Sequence, residues 1–128
     1  MKIFTRQADE ISLLVKIINA KGEFLSILEA GCGRQWPLHI ISKYKLTGID
    51  LDPDALKTRV TTIGDLDEAI VGDLLIHDFP SESFDLIYNA YVLEHINGAE
   101  KVLANFTRWL KPGGLLLLQI PPRQNSCH

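Results

Sequence analysis

The 128-residue sequence lacks the features that mark several classes of protein. Its only cysteines are Cys32 and Cys127, so it has no disulfide framework and a cytoplasmic location is expected. No run approaches the roughly 18 consecutive apolar residues that cross a membrane, and the first residues turn polar too early for a signal peptide. With 46% hydrophobic and 23% charged residues, the composition predicts one globular domain over residues 1–128.

Positive charge is scarce in the middle of the chain. Residues 50–100 hold twelve of the 16 acidic residues but only two basic ones, Lys57 and Arg59. Nucleic-acid binding requires clustered positive charge, so no nucleic-acid partner is expected. The acidic side chains form a solvated surface or, where they end strands, bind hydroxyl groups or a cation. The spacing of His, Cys and carboxylate residues does not predict a metal site.

Short apolar runs alternate with helical patterns along the chain. Strands are predicted at 25–30, 45–50, 69–73, 83–89 and 115–120, and helices at 11–18, after Pro37, at 53–60 and at 99–110. This alternation predicts an α/β fold with a Rossmann-like, doubly wound, mainly parallel sheet of about five strands and helices on both faces. Residues 1–22 are expected to form an N-terminal helix, 24–121 the core and 122–128 a tail.

Four predicted strands end in polar or glycine-rich groups. These groups are residues 29–33, Asp50, Asp73 and Asn89. Because the carboxyl ends of parallel strands meet at one edge, and ligands bind there beside the first strand, the groups are expected to converge on a ligand. This convergence is the strongest functional signal in the sequence.

The glycine turn at 31–33 narrows the class of ligand. Its two glycines allow a tight turn and a close approach to a ligand, and Asp50 follows at nearly the spacing at which an acid binds ribose hydroxyls in nucleotide-binding units. A dinucleotide site would need a third glycine where this chain has Trp36, and Glu29 before the turn would repel phosphate. An adenosine compound without phosphates therefore fits better than a nicotinamide dinucleotide.

At this point the sequence resembles the class I S-adenosylmethionine-dependent methyltransferases, particularly the small-molecule branch known as type 11. The resemblance covers roughly residues 24–121 and rests on five motifs in order, at 27–33, 47–53, 71–73, 84–95 and 110–115. It implies that the cofactor is S-adenosylmethionine and that a methyl group passes to a small-molecule acceptor. The alternative is a non-catalytic S-adenosylmethionine-binding module or a truncated fragment that acts as a subunit.

The resemblance also implies roles for individual residues. The glycine turn would pass under the methionine part of the cofactor, with Glu29 supporting it or reaching the amino group. Asp50 would hold the ribose hydroxyls, although Asp52, better explained as a helix cap, is its rival. Asp73 would accept from the adenine amino group. The complete set of cofactor-binding residues is Glu29, Gly31, Cys32, Gly33, Asp50, Leu51, Asp73, Leu74, Asn89, Ala90 and Tyr91.

His95 is the one candidate catalytic base, and it could equally orient its loop or bond to the backbone. The sulfonium methyl is already activated, so the enzyme needs no nucleophilic residue of its own. Cys32 is interpreted as a small packed residue, and Trp36 and Trp109 as packing residues rather than platforms for substrate. Of Tyr88 and Tyr91, which flank the proposed methyl site, Tyr91 is the better candidate for a contact with the acceptor.

The length of the chain limits the expected sheet. By resemblance the complete fold has seven strands, and average element lengths sum to about 170 residues for seven strands but about 130 for five. The strand at 115–120 would then be an exposed apolar edge, which predicts either self-association through that strand, as in a homodimer, or poor solubility of the isolated chain. The substrate pocket would also lack its usual C-terminal wall.

Overall fold

The structure is a computed structural model that describes residues 2–6, 24–31, 36, 38, 40, 43–90 and 98–119. Within them the strands are β1 (Lys2–Arg6), β2 (Leu25–Ala30), β3 (Tyr44–Asp50), β4 (Glu68–Val71), β5 (Phe84–Ala90) and β6 (Leu110–Gln119). The helices are α1 (Pro53–Thr58), which continues as a π-helical turn at Arg59–Ile63, and α2 (Ala99–Trp109). No helix in these ranges is long and apolar enough to pass through a membrane.

The strands form one parallel sheet in the order β1-β6-β5-β2-β3-β4. From β2 the chain moves to β3 and β4 on one side, and β5 and β6 then lie on the other side. The sheet is therefore doubly wound, and the order of strands reverses between β2 and β5. In such sheets the crevice for a ligand lies beyond the carboxyl ends of the strands at that switch point.

The central strands are apolar on both faces because helices cover both. Ile27 and Leu28 of β2 are each fully buried, but they belong to different core clusters. Ile27 lies in the cluster that contains Leu56 of α1, whereas Leu28 lies in the cluster that contains Phe106 and Trp109 of α2. Successive side chains of a strand point to opposite faces, so the two clusters fill the two sides of the sheet. The predicted fold class is confirmed.

The N-terminal residues correct two expectations. Residues 1–22 are expected to form a helix, but Lys2–Arg6 is a strand; the helical pattern at 11–18 lies outside the described residues. This strand pairs in parallel with β6, from Lys2 opposite Leu115 to Arg6 opposite Gln119. The strand predicted as the exposed edge thus lies between β5 and β1, so it is not the free edge on which the predicted homodimer depends. The edges of the described sheet are β1 and β4.

The segment between α2 and the apolar part of β6 is also different from the prediction. The sequence predicts a helix that ends at 110 and a separate strand that begins at 115, but β6 begins at Leu110 and includes residues 111–114. Leu110 pairs with Phe84 and Leu115 pairs with Leu86, so these residues form a bulge in the pairing with β5. Asp85, opposite the bulge, accepts from Lys111 Nζ at 3.3 Å and from the amide of Ser26 at 2.8 Å.

Candidate functional site

Gly31 begins the turn at the carboxyl end of the central strand β2. Its amide donates to the carbonyl of Ile49 on β3 at 2.9 Å, so the pairing between β2 and β3 continues one residue past Ala30. Gly31 has φ of 84°, a left-handed conformation that side-chain-bearing residues rarely adopt. A glycine at this position therefore lets the chain leave the strand sharply at the switch point.

Asp50 and Asp52 lie close together beyond β3 but have different environments. Asp50 ends the strand, and its Oδ1 accepts from the amide of Asp52 at 2.8 Å. Asp52 is the N-cap of α1, and its Oδ1 accepts from the amide of Asp54 at 2.9 Å. The prediction that Asp52 is a helix cap is confirmed, and Asp50 is the carboxylate at the carboxyl end of the strand itself.

An apolar side chain is exposed beside Asp50. Leu51 is 68% exposed although it follows a buried strand. Val71, at the end of the neighbouring strand β4, and Ile76 are exposed as well. Apolar side chains so placed offer a surface on which a flat ring can pack.

Asp73 follows β4 and organises the turn after it. Its Oδ1 accepts from the amide of Leu75 at 2.8 Å, and its carbonyl accepts from the amides of Ile76 and His77 at 3.1 and 2.8 Å. The side chain of Leu74 is buried in the core, and its carbonyl accepts from Asn105 Nδ2 at 3.0 Å. Asp73 and the backbone of Leu74 are thus held in a fixed turn at the same edge as Asp50.

The side chain of Asn89, on the β5 side of the switch point, makes a hydrogen bond to the backbone of β2. It is buried near the end of β5, and its Nδ2 donates to the carbonyl of Ala30 at 2.8 Å. This bond joins the ends of β5 and β2, the two strands that flank the crevice. Ala90 ends β5 immediately after it.

Glu29 takes part in a buried charged network that the sequence did not predict. It is 2% exposed, and its Oε1 lies 2.7 Å from Nη2 of Arg59, which is 1% exposed. Nε of Arg59 lies 2.7 Å from Oδ1 of Asp65, and Oδ2 of Asp65 accepts from the amide of Trp36 at 2.6 Å. Burial alone would lower the pKa of Arg59, but its hydrogen bonds to Glu29 and Asp65 outweigh burial and raise that pKa.

Trp36 confirms its predicted packing role. Its ring lies edge-on to that of Tyr88, with centroids 5.4 Å apart, and 6.5 Å from that of Tyr44. It packs against the core cluster on the α1 side of the sheet. Trp109 is fully buried on the other side, where it contacts Phe79. Both indoles thus fill core space, as the sequence analysis predicted.

The structure places part of the predicted site at one edge. The carboxyl ends of β2 to β5 bring together Glu29, Gly31, Asp50, Leu51, Asp73, Leu74, Asn89 and Ala90. The other predicted residues, Cys32, Gly33, Tyr91 and the candidate base His95, lie outside the described residues. Among the described residues there is no group of three or more His, Cys, Asp or Glu that could hold a metal ion.

Arg59 and Asp65 are parts of this region that were not predicted from the sequence. The available signal was that Arg59 is one of only two basic residues in the acidic middle of the chain. Its partner Glu29 is distant in sequence, so no local pattern connects the two.

The fold, and the polar groups at the carboxyl edge of its sheet, agree with a comparison between the chain and known protein families. A methyltransferase domain family matches residues 28–118, which is most of the chain. The chain therefore belongs to this family of methyltransferase domains, and the resemblance to the class I S-adenosylmethionine-dependent enzymes is confirmed. Their cofactor is S-adenosylmethionine, as the sequence predicted.

Individual proteins similar to this chain are also methyltransferases. Phosphoethanolamine N-methyltransferase 1 of Zea mays is 32% identical over 98 residues, which are 72% of this chain and 20% of that protein. A 2-methyl-6-phytyl-1,4-hydroquinone methyltransferase of Synechocystis sp. is 28% identical over 98 residues, 73% of this chain and 31% of that protein. The chain thus spans less than a third of the length of either relative.

A solved structure shows the same fold. The TehB-like SAM-dependent methyltransferase from Corynebacterium glutamicum superposes with a TM-score of 0.62 and is 27% identical. The superposition covers 80% of this chain and 59% of that one. The sheet described above is therefore the cofactor-binding architecture of this class.

The described residues fit S-adenosylmethionine chemically. Two carboxylates, Asp50 and Asp73, follow adjacent strands and suit the hydroxyl and amino donors of adenosine. Leu51 offers an exposed apolar surface between them in sequence. The left-handed Gly31 allows a close approach of backbone to ligand, so the edge has the groups that an adenosine compound requires.

Proposed function

We propose that this chain binds S-adenosylmethionine at the carboxyl edge of its sheet and transfers the methyl group to a small-molecule acceptor. Asp50 binds the ribose hydroxyls, Leu51 packs on adenine and Asp73 accepts from the adenine amino group. The glycine turn at 31–33 passes under the methionine part, close to Asn89, Ala90 and Tyr91. The observation that carries the proposal is the placement of Gly31, Asp50 and Asp73 at the ends of three adjacent strands beside the switch point.

The cofactor supplies an activated methyl group on its sulfonium. The protein's residues then have three tasks: to bind the adenosine part, to orient the acceptor and to exclude water. The buried Asn89 serves orientation, since its bond to the Ala30 carbonyl fixes the two strand ends beside the reacting centre. A small-molecule acceptor is supported by the relatives, whose names specify phosphoethanolamine and a phytyl hydroquinone.

Calorimetric titration with S-adenosylmethionine, S-adenosylhomocysteine and NAD tests the proposal. The first two ligands are expected to bind and NAD is not. Asp50→Ala is expected to weaken binding of S-adenosylhomocysteine by about ten- to a hundredfold, because charge-assisted bonds to the ribose are lost.

Asp52→Ala is the matched control, because it removes a carboxylate that caps α1 and lies two positions from Asp50. It is expected to leave the affinity nearly unchanged. A loss of affinity in Asp52→Ala together with unchanged affinity in Asp50→Ala would move the ribose contact to Asp52. Failure of both adenosine ligands to bind would overturn the proposed function. Binding without methyl transfer to any acceptor in a library of small amines, phenols and acids would identify the non-catalytic binding module instead.

A further inference from the structure

Three contacts connect one buried guanidinium to both sides of the glycine turn. Arg59 contacts Glu29 directly through Nη2, and Glu29 lies just before Gly31 in the sequence. Arg59 also contacts Asp65 through Nε, and Asp65 accepts from the amide of Trp36, which lies just after the turn. Arg59 is thus connected to Glu29 directly and to the amide of Trp36 through Asp65.

We propose that Arg59 is a positioning residue that fixes Glu29 and Trp36, the residues on either side of the glycine turn at which the methionine part of the cofactor binds. The inference rests on the proposed function, because that function places the methionine part at this turn. Arg59 itself is almost fully buried and contacts the carboxylates of Glu29 and Asp65, so it acts through these two residues rather than on the ligand.

The geometry of these contacts requires arginine in particular. Nε and Nη2 lie on one edge of the planar guanidinium, and each is 2.7 Å from a different carboxylate. A lysine carries the same charge on a single ammonium group, which lacks the fixed fork of donors. Arg59→Lys therefore keeps a cation in the network but removes its ability to hold both carboxylates in these positions at once.

The location of Arg59 supports a role in positioning. It is the first residue of the π-helical turn that follows α1, and the amides of Gly64 and Asp65 bond to its carbonyl at 2.7 and 3.3 Å. The backbone of Arg59 thus fixes the segment that carries Asp65, while its side chain fixes the carboxylate of Asp65. Turns of this wide helical type occur frequently at functional sites.

The test compares how tightly the Arg59→Lys variant binds two ligands. In the proposed function, S-adenosylhomocysteine contacts both the residues that bind adenosine and the glycine turn, whereas adenosine lacks the amino-acid part. We expect the variant to bind S-adenosylhomocysteine about tenfold or more weakly than wild type, while its affinity for adenosine stays within about twofold. Hydrogen exchange of the Trp36 amide is expected to become about tenfold or more faster, because the bond to Asp65 is loosened.

Two control variants separate positioning from general stability. Arg108→Lys makes the same substitution in an ion pair that is largely exposed, between Arg108 and Asp78 at 2.8 Å, and is expected to change neither affinity nor Trp36 exchange. Val102→Ala removes buried apolar atoms from α2 without touching the network, and so it lowers stability alone.

The outcomes are distinct. If wild type does not bind S-adenosylhomocysteine, the proposed function fails. If wild type binds but Arg59→Lys weakens both ligands equally, or exchanges the Trp36 amide no faster than Val102→Ala does, the positioning role of Arg59 is overturned. If Arg59→Lys does not fold, Asp65→Asn replaces it. This variant keeps the ion pair of Arg59 with Glu29 and alters only the contacts of residue 65 with Arg59 and with the Trp36 amide. The same two readouts then decide.

Discussion

At the scale of single residues, Tyr44 is subject to burial and negative charge together. It begins β3, and burial raises the pKa of its phenol, with the charges of Asp67 and Asp65 adding to the effect. Both states of the protein hold the phenolic proton below pH 10, the ordinary pKa of tyrosine. Above it the unfolded state loses the proton first, so this group lowers the free energy of unfolding as the pH rises.

Tyr44→Phe is expected to remove that contribution. The ring keeps its place beside Trp36, so packing changes little near neutral pH. Urea unfolding of the variant and of wild type at a series of alkaline pH values measures the effect. We expect the wild-type free energy of unfolding to fall more steeply above pH 10 than that of the variant. Parallel curves would contradict the prediction, and groups common to both proteins cancel in the difference.

The sequence predicts single residues well where the signal is local. Asp52 stands before Pro53, a common helix start, and the structure shows it as the N-cap of α1. Arg59 gave no such signal, because an arginine near the end of a helix usually lies in solvent. Its burial depends on Glu29 of β2, and a contact so distant in sequence follows only from the tertiary fold.

At the scale of elements, the predicted strands agree closely with the structure where apolar runs are bounded by turn residues. β2 has the predicted limits, and β3 begins only one residue earlier than predicted. The ends of β6 were harder to predict, because residues 111–114 contain Pro112 and two glycines, which normally separate elements. In the structure they form a bulge inside the strand, and only pairing with β5 reveals it.

Gly113 provides a test of that bulge. Its φ is 79°, and a Cβ added there would meet no atom within 4 Å, so the cost of a side chain is conformational rather than steric. Gly113→Ala is expected to lower the free energy of unfolding by about 1–2 kcal/mol. Gly113→Asn is expected to lower it less, since asparagine tolerates the left-handed region. Urea unfolding measures both variants.

Gly64→Ala is the matched control for Gly113→Ala. Gly64 has φ of 75° and equally open surroundings, but it ends the π-helical turn rather than lying in the sheet. A similar loss in both alanine variants is expected if left-handed strain alone sets the cost. A Gly113→Ala variant as stable as wild type would show that the bulge does not require this conformation.

At the scale of the whole molecule, the order of the central strands follows from the sequence, but the strand β1 at the side of the sheet does not. Alternating strands and helices predict a doubly wound parallel sheet, and polar groups at the strand ends predict where its ligand binds. The strand β1 has only five residues and gives too short a pattern to predict its pairing. The sequence therefore predicts an empty position beside β6, whereas in the structure β1 occupies it.

This placement makes β1 the cover of the apolar strand β6. Leu116 and Leu117 of β6 are fully buried, and their backbone pairs with β1 on one side and β5 on the other. Without β1 the backbone N–H and C=O groups on one side of a long apolar strand would face solvent. An exposed edge of this kind pairs readily with another chain.

Replacing residues 2–6 by a segment of glycine and serine is expected to cause association that depends on concentration, because such a segment keeps the chain length but has little tendency to form a strand. Sedimentation velocity of the variant and of wild type over the same range of concentrations measures the effect. A control that replaces the same residues by valine and threonine, which favour strands, should behave as wild type does. If the glycine and serine variant sediments as wild type at every concentration, β1 does not protect β6, and the expectation that association follows from an uncovered β6 is wrong.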